Sequence, residues 1–404
     1  MPAEILTDAF FDSFASSERP LEAAEMLPPA IYTDASFYEF EKEALFSREW
    51  LCVGRTDWVK APGDYFTTQI IGEPLVISHA RDGVIRAMSA VCQHRAMLVA
   101  EGRGNARGFV CPYHHWVFGL DGKLVNAPAM ERTCDFDKKS IRLPQLKVET
   151  WLGFIFVNFD PNAAPLAPRL GRLAEAAANY DLETAEEARL MTGQFNWNWK
   201  VMFENNNDGY HASKLHAGPL HDFIPSELAS FPDADPKDAG FLRFNGTLHP
   251  DASFNPTQKA LLPLFPKLTE ADRGRMVFAN VPPTLSLVLS TDLIIYLILR
   301  ATGPETMEQD TGILVAPGAM DEPGFEDRLE IIMTSAGKII AQDMHVDARV
   351  QVGLRSRFAN RGRYSWQEGA QGQFNSWLTP RYRAAWAARK AQAGGKAVSP
   401  VRAA

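Results

Sequence analysis

In "ASFYEFEKEALFSREW", residues 35–50, the apolar side chains Phe37, Phe40, Ala44 and Leu45 recur at the spacing of one helix face, and Asp34 stands where it can cap that helix. From about residue 50 to 160 the period shortens. Here "YFTTQII", "PLVISHA", "VIRAMSAV", "WVFGL" and "WLGFIFVNF" are short β-rich runs, broken by the hairpin-turn signals "RDG" and "LDGKL". The Pro- and Ala-rich "DPNAAPLAPRLG" then reads as a linker, followed by a helical pattern at about 170–190. Beyond it the pattern predicts a helix-like segment around 198–216 and a loop-rich region to about 272. Three strands follow, "TLSLVLS", "LIIYLILRA" and "TGILVAP", most simply joined as an antiparallel meander. Two helical segments, about 325–358 and about 374–391, precede the tail "AGGKAVSPVRAA". The expected class is α+β, with an N-terminal helical segment over 1–45, a small all-β domain over 46–160, a larger domain over 161–393 and a disordered tail over 394–404. No internal repeat at a solenoid or propeller period is visible.

Composition narrows the partners. The chain has 404 residues, 46% hydrophobic and 22% charged, with a net charge of -8, so it carries no basic footprint for nucleic acid or an anionic membrane surface. The opening "MPAEILTDAFFDSF" does not read as a signal peptide, and the longest apolar run, "LIIYLIL", is too short to span a bilayer. Four cysteines in so long a chain, two of them beside histidines, argue for a reducing compartment and a metal site over a disulfide framework. The expected location is the cytoplasm.

The first cluster of candidate chemistry is Cys92-Gln93-His94 and, sixteen residues on, Cys111-Pro112-Tyr113-His114. Each loop supplies one thiolate and one imidazole. Structural zinc also uses two cysteines and two histidines, but zinc fingers usually put the cysteines on one knuckle and the histidines on the other. A [2Fe-2S] cluster with two cysteines on one iron and two histidines on the other needs mixed loops, since each loop must reach both irons. Mixed-ligand zinc and plain buried thiols stand as the competing readings. His115 alternates away from His114 if the backbone is extended, and Cys52 and Cys134 have no partner spacing.

The second cluster lies in "NWNWKVMFENNNDGYHASKLHAGPL", residues 196–220, which offers Asp208, His211 and His216. His211 and His216 are five apart, about 140° around an ideal helix, so an undistorted helix would not aim both at one ion. A π-type widening, or a helix end near Ser213 to Leu215, would bring them together.

These residues resemble the oxygenase (α) components of Rieske non-haem iron oxygenases, whose cluster motif is C-x-H, about sixteen residues, then C-x-x-H. "CPYHHW" is similar to the family's CPYHGW, with His115 in place of a small residue, a departure that could alter packing around the cluster. Asn198-Trp199-Lys200, Glu204-Asn205 and Asp208-Gly209-Tyr210-His211 through His216 are similar to the family's N-W-K, E-N and D/E-x-Y-H-x4-H. The resemblance implies a [2Fe-2S] Rieske cluster on Cys92, His94, Cys111 and His114, and a mononuclear Fe(II) on His211 and His216. It also implies a helix-grip, START-like catalytic domain. The third iron ligand is implied by "AQDMHVDARVQVGLRS", similar to the family's D-x7-Q-x-G-L, which points to Asp343, with Asp347 one turn on as competitor. Asp208 is implied as the carboxylate between the two metal sites, joined to His114 across a subunit interface in a ring of three.

The activity implied is that of a terminal oxygenase using O2 and electrons from NAD(P)H through a separate reductase, sometimes with a ferredoxin between. No nucleotide fingerprint in this chain stands in for that reductase. The substrate expected is a small organic molecule, aromatic or N-/O-methyl, that is hydroxylated or oxidatively demethylated; the alternative is arene cis-dihydroxylation. An electron carrier with a ligand-binding domain is the reading from another class. It needs only about the first 160 residues, and it leaves His211, His216 and Asp343 without a role.

Overall fold

The computed structural model describes residues 5–396, apart from 219, 234 and 236. Helices α1 (Asp8–Asp12) and α2 (Ala35–Glu41) lead the chain. Asp34 Oδ1 accepts the backbone N–H groups of Ser36 (2.8 Å) and Phe37 (2.9 Å), the expected cap. The helix then widens into a π turn over Lys42–Phe46, and Phe37, Phe40, Ala44 and Leu45 are all buried.

Ten strands follow: β1 (Leu51–Arg55), β2 (Asp64–Ile70), β3 (Glu73–His79), β4 (Ile85–Ser89), β5 (Arg103–Asn105), β6 (Phe109–Val110), β7 (Val117–Phe118), β8 (Leu124–Asn126), β9 (Gln145–Trp151) and β10 (Phe154–Asn158). Seven form an antiparallel sheet in the order β1-β10-β9-β4-β3-β2-β5, and β6-β7-β8 form a small separate sheet. Leu152 and Gly153, at φ 48° and 80°, make the two-residue turn between β9 and β10, the left-handed pair that such a tight hairpin demands.

The larger half contains β11 (Glu186–Phe195), β12 (Ala229–Ser230), β13 (Phe241–Gly246), β14 (Arg275–Val281), β15 (Leu285–Leu289), β16 (Ile294–Gly303) and β17 (Thr306–Val315). They form one antiparallel sheet in the order β11-β17-β16-β15-β14-β13-β12. Its helices are α3 (Gly171–Ala177), α4 (Trp199–Asn207), α5 (Ala212–Leu215), α6 (Glu270–Arg273), α7 (Phe325–Leu354) and α8 (Gly369–Lys396). On β16 the faces divide by alternation. Ile294, Tyr296 and Ile298 share a core with Leu329, Ile332, Ala336 and Ile339 of α7, whereas Leu297, Leu299 and Ala301 share another with α2, α4 and α8. Covered on both sides, the strand reads as an unbroken apolar run.

The β15-β16-β17 meander is part of this sheet, but four other readings need correction. The helical pattern at 170–190 stops early: Asp181 is left-handed (φ 47°), and the helix-forming "EEARLMTGQF" becomes β11, because ten residues of pairing with β17 override local propensity. The loop-rich stretch to 272 holds β13, a strand hidden by its shortness. The segment 198–216 is not one helix; α4 ends at Asn207 and α5 is a separate turn. At the far end α8 continues through Lys396, three residues into the expected tail, and 397–404 lie outside the described residues. Among the described residues no helix is long and apolar enough to cross a membrane.

A buried polar knot ties the ends together. Lys200 Nζ lies 2.8 Å from Glu41 Oε1, Trp199 Nε1 donates to Glu41 Oε2 (3.2 Å), and the Tyr382 hydroxyl donates to the same carboxylate, joining α2, α4 and α8. The N-W-K motif is therefore a packing device here.

Candidate metal centres and the cavity between them

Both cysteine-histidine loops close in the same way. Cys92 N–H donates to Met97 O (2.8 Å) and Ala96 N–H to Cys92 O (3.0 Å); Cys111 N–H donates to Trp116 O (2.8 Å) and His115 N–H to Cys111 O (3.0 Å). Each turn needs a left-handed residue four after the cysteine, supplied by Ala96 (φ 58°) and His115 (φ 54°). A glycine would be unstrained there, whereas an L side chain costs about 1–2 kcal/mol. The His115 side chain is exposed, so its departure from the family pattern falls on the backbone and not on packing between the loops.

Cys92 and Cys111 are each 2% exposed. Burial pushes the Cys92 thiol up; the His94 N–H opposes this and the neighbouring Cys111 thiol adds to it. The His94 and His114 rings lie 4.6 Å apart, and His94 stacks on Trp116 at 4.9 Å. His114 Nδ1 is buried and has no partner among the described residues. Burial, and then the charges of His94 and Arg95, push this imidazole down. Two thiols and two imidazoles, with one nitrogen orphaned, fit a [2Fe-2S] group held by Cys92, His94, Cys111 and His114.

The second centre is made by the break after α4. Asp208 caps that helix in an extended conformation, and its Oδ1 accepts the N–H of Tyr210 at 2.6 Å, which starts the turn leading to α5. His211 and His216 then flank the single turn of α5, a helix end of the kind that the five-residue interval requires. His211 Nε2 and His216 Nε2 are 3.2 Å apart, and Asp343 Oδ1 lies 3.5 Å and 2.9 Å from them. Three donors on adjacent corners of one ion with bonds of about 2.1 Å would sit about 3.0 Å apart, so the trio fits a facial site. The nitrogen-nitrogen-carboxylate donor set suits Fe(II).

Supporting groups hold the rings. His216 Nδ1 meets Gln342 Oε1 at 2.8 Å, and His211 Nδ1 lies 3.1 Å from Asp208 Oδ2, close but not aligned as a hydrogen bond. Burial disfavours charge on His211, yet Asp208 and Asp343 outweigh it and push the ring up to about 9. Asp347 is not among the three grouped donors; it is 2% exposed with Oδ2 unpartnered, and burial, then Asp343, push it up to about 8.

A cavity of about 170 Å³ opens beside the trio. Its wall is mostly apolar, including Leu220, Ile224, Phe254, Val288 and Ile339, with Asp208, His211, His216 and Asp343 at one side. Part of the "LVLSTDLIIYLIL" run lines it through Val288, Ile295 and Leu297, while Leu287, Leu289, Ile294 and Ile298 are core. Sequence reasoning missed several supporting residues. Asn280 exchanges hydrogen bonds with Asn207 (2.7 and 3.1 Å) and accepts from Ser286 Oγ (2.6 Å), which fastens the end of α4 to β14 and β15. Gln342 had one legible signal, its place beside Asp343. Arg243 had another, a lone charge inside the apolar "FLRF".

Residues 173–384 match the family model described as the ring-hydroxylating alpha subunit (catalytic domain), and residues 49–147 match that of the Rieske [2Fe-2S] domain. The chain is 38% identical over 207 residues to the carnitine monooxygenase oxygenase subunit of Acinetobacter baumannii, covering 49% of this chain and 54% of that protein. It is 35% identical over 225 residues to the benzene 1,2-dioxygenase subunit alpha of Pseudomonas putida, covering 54% and 50%. The chain thus spans about half the length of these curated relatives. A solved quaternary ammonium Rieske monooxygenase, reported to give insight into carnitine oxidation by gut microbiota and inter-subunit electron transfer, superposes with a TM-score of 0.76 at 25% identity, over 90% of this chain and 96% of that one.

Proposed function

The chain belongs to the Rieske oxygenases, as an oxygenase component that joins a Rieske [2Fe-2S] domain to a ring-hydroxylating alpha-subunit catalytic domain, and from that premise we propose that it is a terminal oxygenase acting on a small organic substrate. The proposed reaction takes O2, two electrons and two protons, puts one oxygen atom into a C–H bond and releases the other as water. On an N- or O-methyl group the hydroxylated carbon then leaves as formaldehyde. The electrons come from NAD(P)H through a separate reductase. The observation that carries this reading is the grouping of His211, His216 and Asp343 at the side of an apolar cavity. An electron carrier, even one with a ligand-binding domain, has no use for three metal donors grouped at the side of that cavity.

In this reading Fe(II) at the trio, when bound, supplies the reduction of O2 beside the substrate. The chain's own residues do the rest. Gln342 orients the His216 imidazole through its Nδ1, and the Asp208 carboxylate, 3.1 Å from His211 Nδ1, sets a negative charge beside the other ring. The apolar wall excludes water and holds the substrate body. Asp208, partly exposed, is proposed to receive His114 of a neighbouring copy in a ring of three, a use consistent with the inter-subunit transfer described for the quaternary ammonium enzyme.

The carnitine relative and the quaternary ammonium enzyme favour N-methyl chemistry, and the compact Glu204-Asn205-x-x-Asp208-x-Tyr210-His211 spacing agrees with single-subunit monooxygenases. Arene dihydroxylation is the second reading, favoured by the benzene dioxygenase relative and the apolar wall. Iron-replete protein, a surrogate reductase, NADH and labelled O2 should be offered aromatic acids, methoxyarenes and N-methyl compounds. Substrate-dependent O2 uptake with one labelled atom in the product, or with formaldehyde, is expected. Two labelled atoms in a cis-diol would select the second reading, and no substrate-dependent uptake across the panel would overturn the oxygenase.

A further inference from the structure

Three arginines are buried among the described residues: Arg55, Arg243 and Arg300. Arg55 Nη2 lies 3.2 Å from Asp57 Oδ2, and Arg300 Nη1 lies 2.6 Å from Asp310 Oδ2. Arg243, on β13, is 4% exposed and has no such pair. Among the described residues its one hydrogen bond is a long donation from Nη1 to Asn207 O (3.4 Å), and Nε has no partner there. It is also the one of the three that lines the catalytic cavity.

A buried cation with no counter-ion is strongly disfavoured, unless a ligand brings the missing charge. The guanidinium carbon lies over the Phe278 ring, 3.8 Å from its centroid, a cation–π contact. Burial lowers its pKa to about 10, with the Asp208 charge opposing, so it stays a cation at neutral pH. The two acids of the cavity, Asp208 and Asp343, face His211 and His216. No Trp or Tyr is among the lining residues to cage a quaternary ammonium group, and Arg243 occupies a face of Phe278, leaving Phe254 as the other aromatic wall.

We propose that Arg243 anchors the substrate, and that the cavity takes a small organic carboxylate whose anion pairs with this guanidinium while its apolar body reaches toward His211, His216 and Asp343. This rests on the oxygenase reading of the same site. The planar guanidinium fork presents parallel N–H donors, the arrangement that matches a carboxylate in a bidentate pair. The reacting carbon is then the one held farthest from the anion.

The test measures binding and does not require turnover. As-isolated protein under argon is titrated calorimetrically with benzoate, 4-methoxybenzoate and cyclohexanecarboxylate, each beside its uncharged amide of similar shape. At least one acid should bind about tenfold or more tighter than its amide, in line with a charge-assisted pair. Arg243→Gln should abolish that preference, and Arg243→Lys should keep part of it. A merely structural Arg243 would not make binding selective for charge. The anchor is wrong if none of the three acids binds, if acids and amides bind alike, or if the preference survives in Arg243→Gln. Should Arg243→Gln fail to fold, the wild-type comparison and Arg243→Lys decide. Failure of the oxygenase reading looks different: the acids would bind selectively, yet no compound would stimulate O2 uptake.

Discussion

Glu204 shows how far a residue's chemistry depends on what surrounds it. Its half-buried carboxyl projects from α4, and loss of water around it pushes it up to about 7, with the Tyr32 hydroxyl (2.6 Å) and Lys200 pulling it down. The native state therefore holds a proton between about pH 4.5 and 7 that the unfolded chain has already released, and this group's contribution to stability falls as pH rises through that window. Glu204→Gln keeps an acceptor for Tyr32 and has no charge to bury. Its stability relative to the parent should rise between pH 5 and pH 8 by on the order of 3 kcal/mol, since each tenfold difference in proton affinity between the folded and unfolded chain is worth about 1.4 kcal/mol. Paired guanidinium unfolding curves at several pH values check this, and a pH-independent difference would show that Glu204 is ionised throughout. The sequence marked Glu204 only as part of E-N. Its burial, and the pairing of Tyr32 with a residue 172 positions away, are tertiary facts.

At the scale of elements, the site depends on how α7 is set against α4. Gln351 Oε1 accepts the backbone N–H of Asn198 (2.8 Å), which caps α4, and its Nε2 donates to Tyr32 O (3.1 Å). Asp343 lies eight residues earlier, about 12 Å along the helix at 1.5 Å per residue, where it meets His211 and His216. Gln351→Leu leaves two buried groups unpaired, at roughly 1–3 kcal/mol each, and frees α7 to shift. We expect a loss of about 2–4 kcal/mol in guanidinium unfolding and substoichiometric mononuclear iron, with the Rieske absorbance unchanged. Full iron in a destabilised protein would mean that packing of α7 on the sheet alone sets Asp343. The D-x7-Q spacing was legible. That the glutamine acts as a clamp, and the aspartate two turns away as the reaching group, was not, because spacing along one helix says nothing about which neighbour each side chain meets.

At the scale of the whole molecule, the proposed oxygenase has to pass electrons from the cysteine-histidine loops to the trio. The proposed route through Asp208 to a neighbouring copy predicts that a Cys111→Ser subunit, lacking the cluster, and a His211→Ala subunit, lacking the mononuclear iron, complement each other when co-expressed. Isolated hybrids should turn over well above either parent, measured as substrate-dependent O2 uptake. Hybrids as inactive as the parents, beside working wild-type controls, would place transfer within one chain. Local order in the sequence determined the residue types and intervals of both metal centres, the capped helix at Asp34, the β-rich character of the first half and the β15-β16-β17 meander, because short-range spacing, turn chemistry and periodicity act within a few residues. Only the tertiary structure decided that "EEARLMTGQF" is a strand, that α4 breaks at Asp208, that Asp343 and not Asp347 joins the histidines, and that Arg243 is left without a counter-ion. Each of these involves partners from 36 to more than 130 residues away, the end of α4 through Asn207 and Asn280, and the burial and pairing that such distant segments impose outweigh what any local stretch prefers.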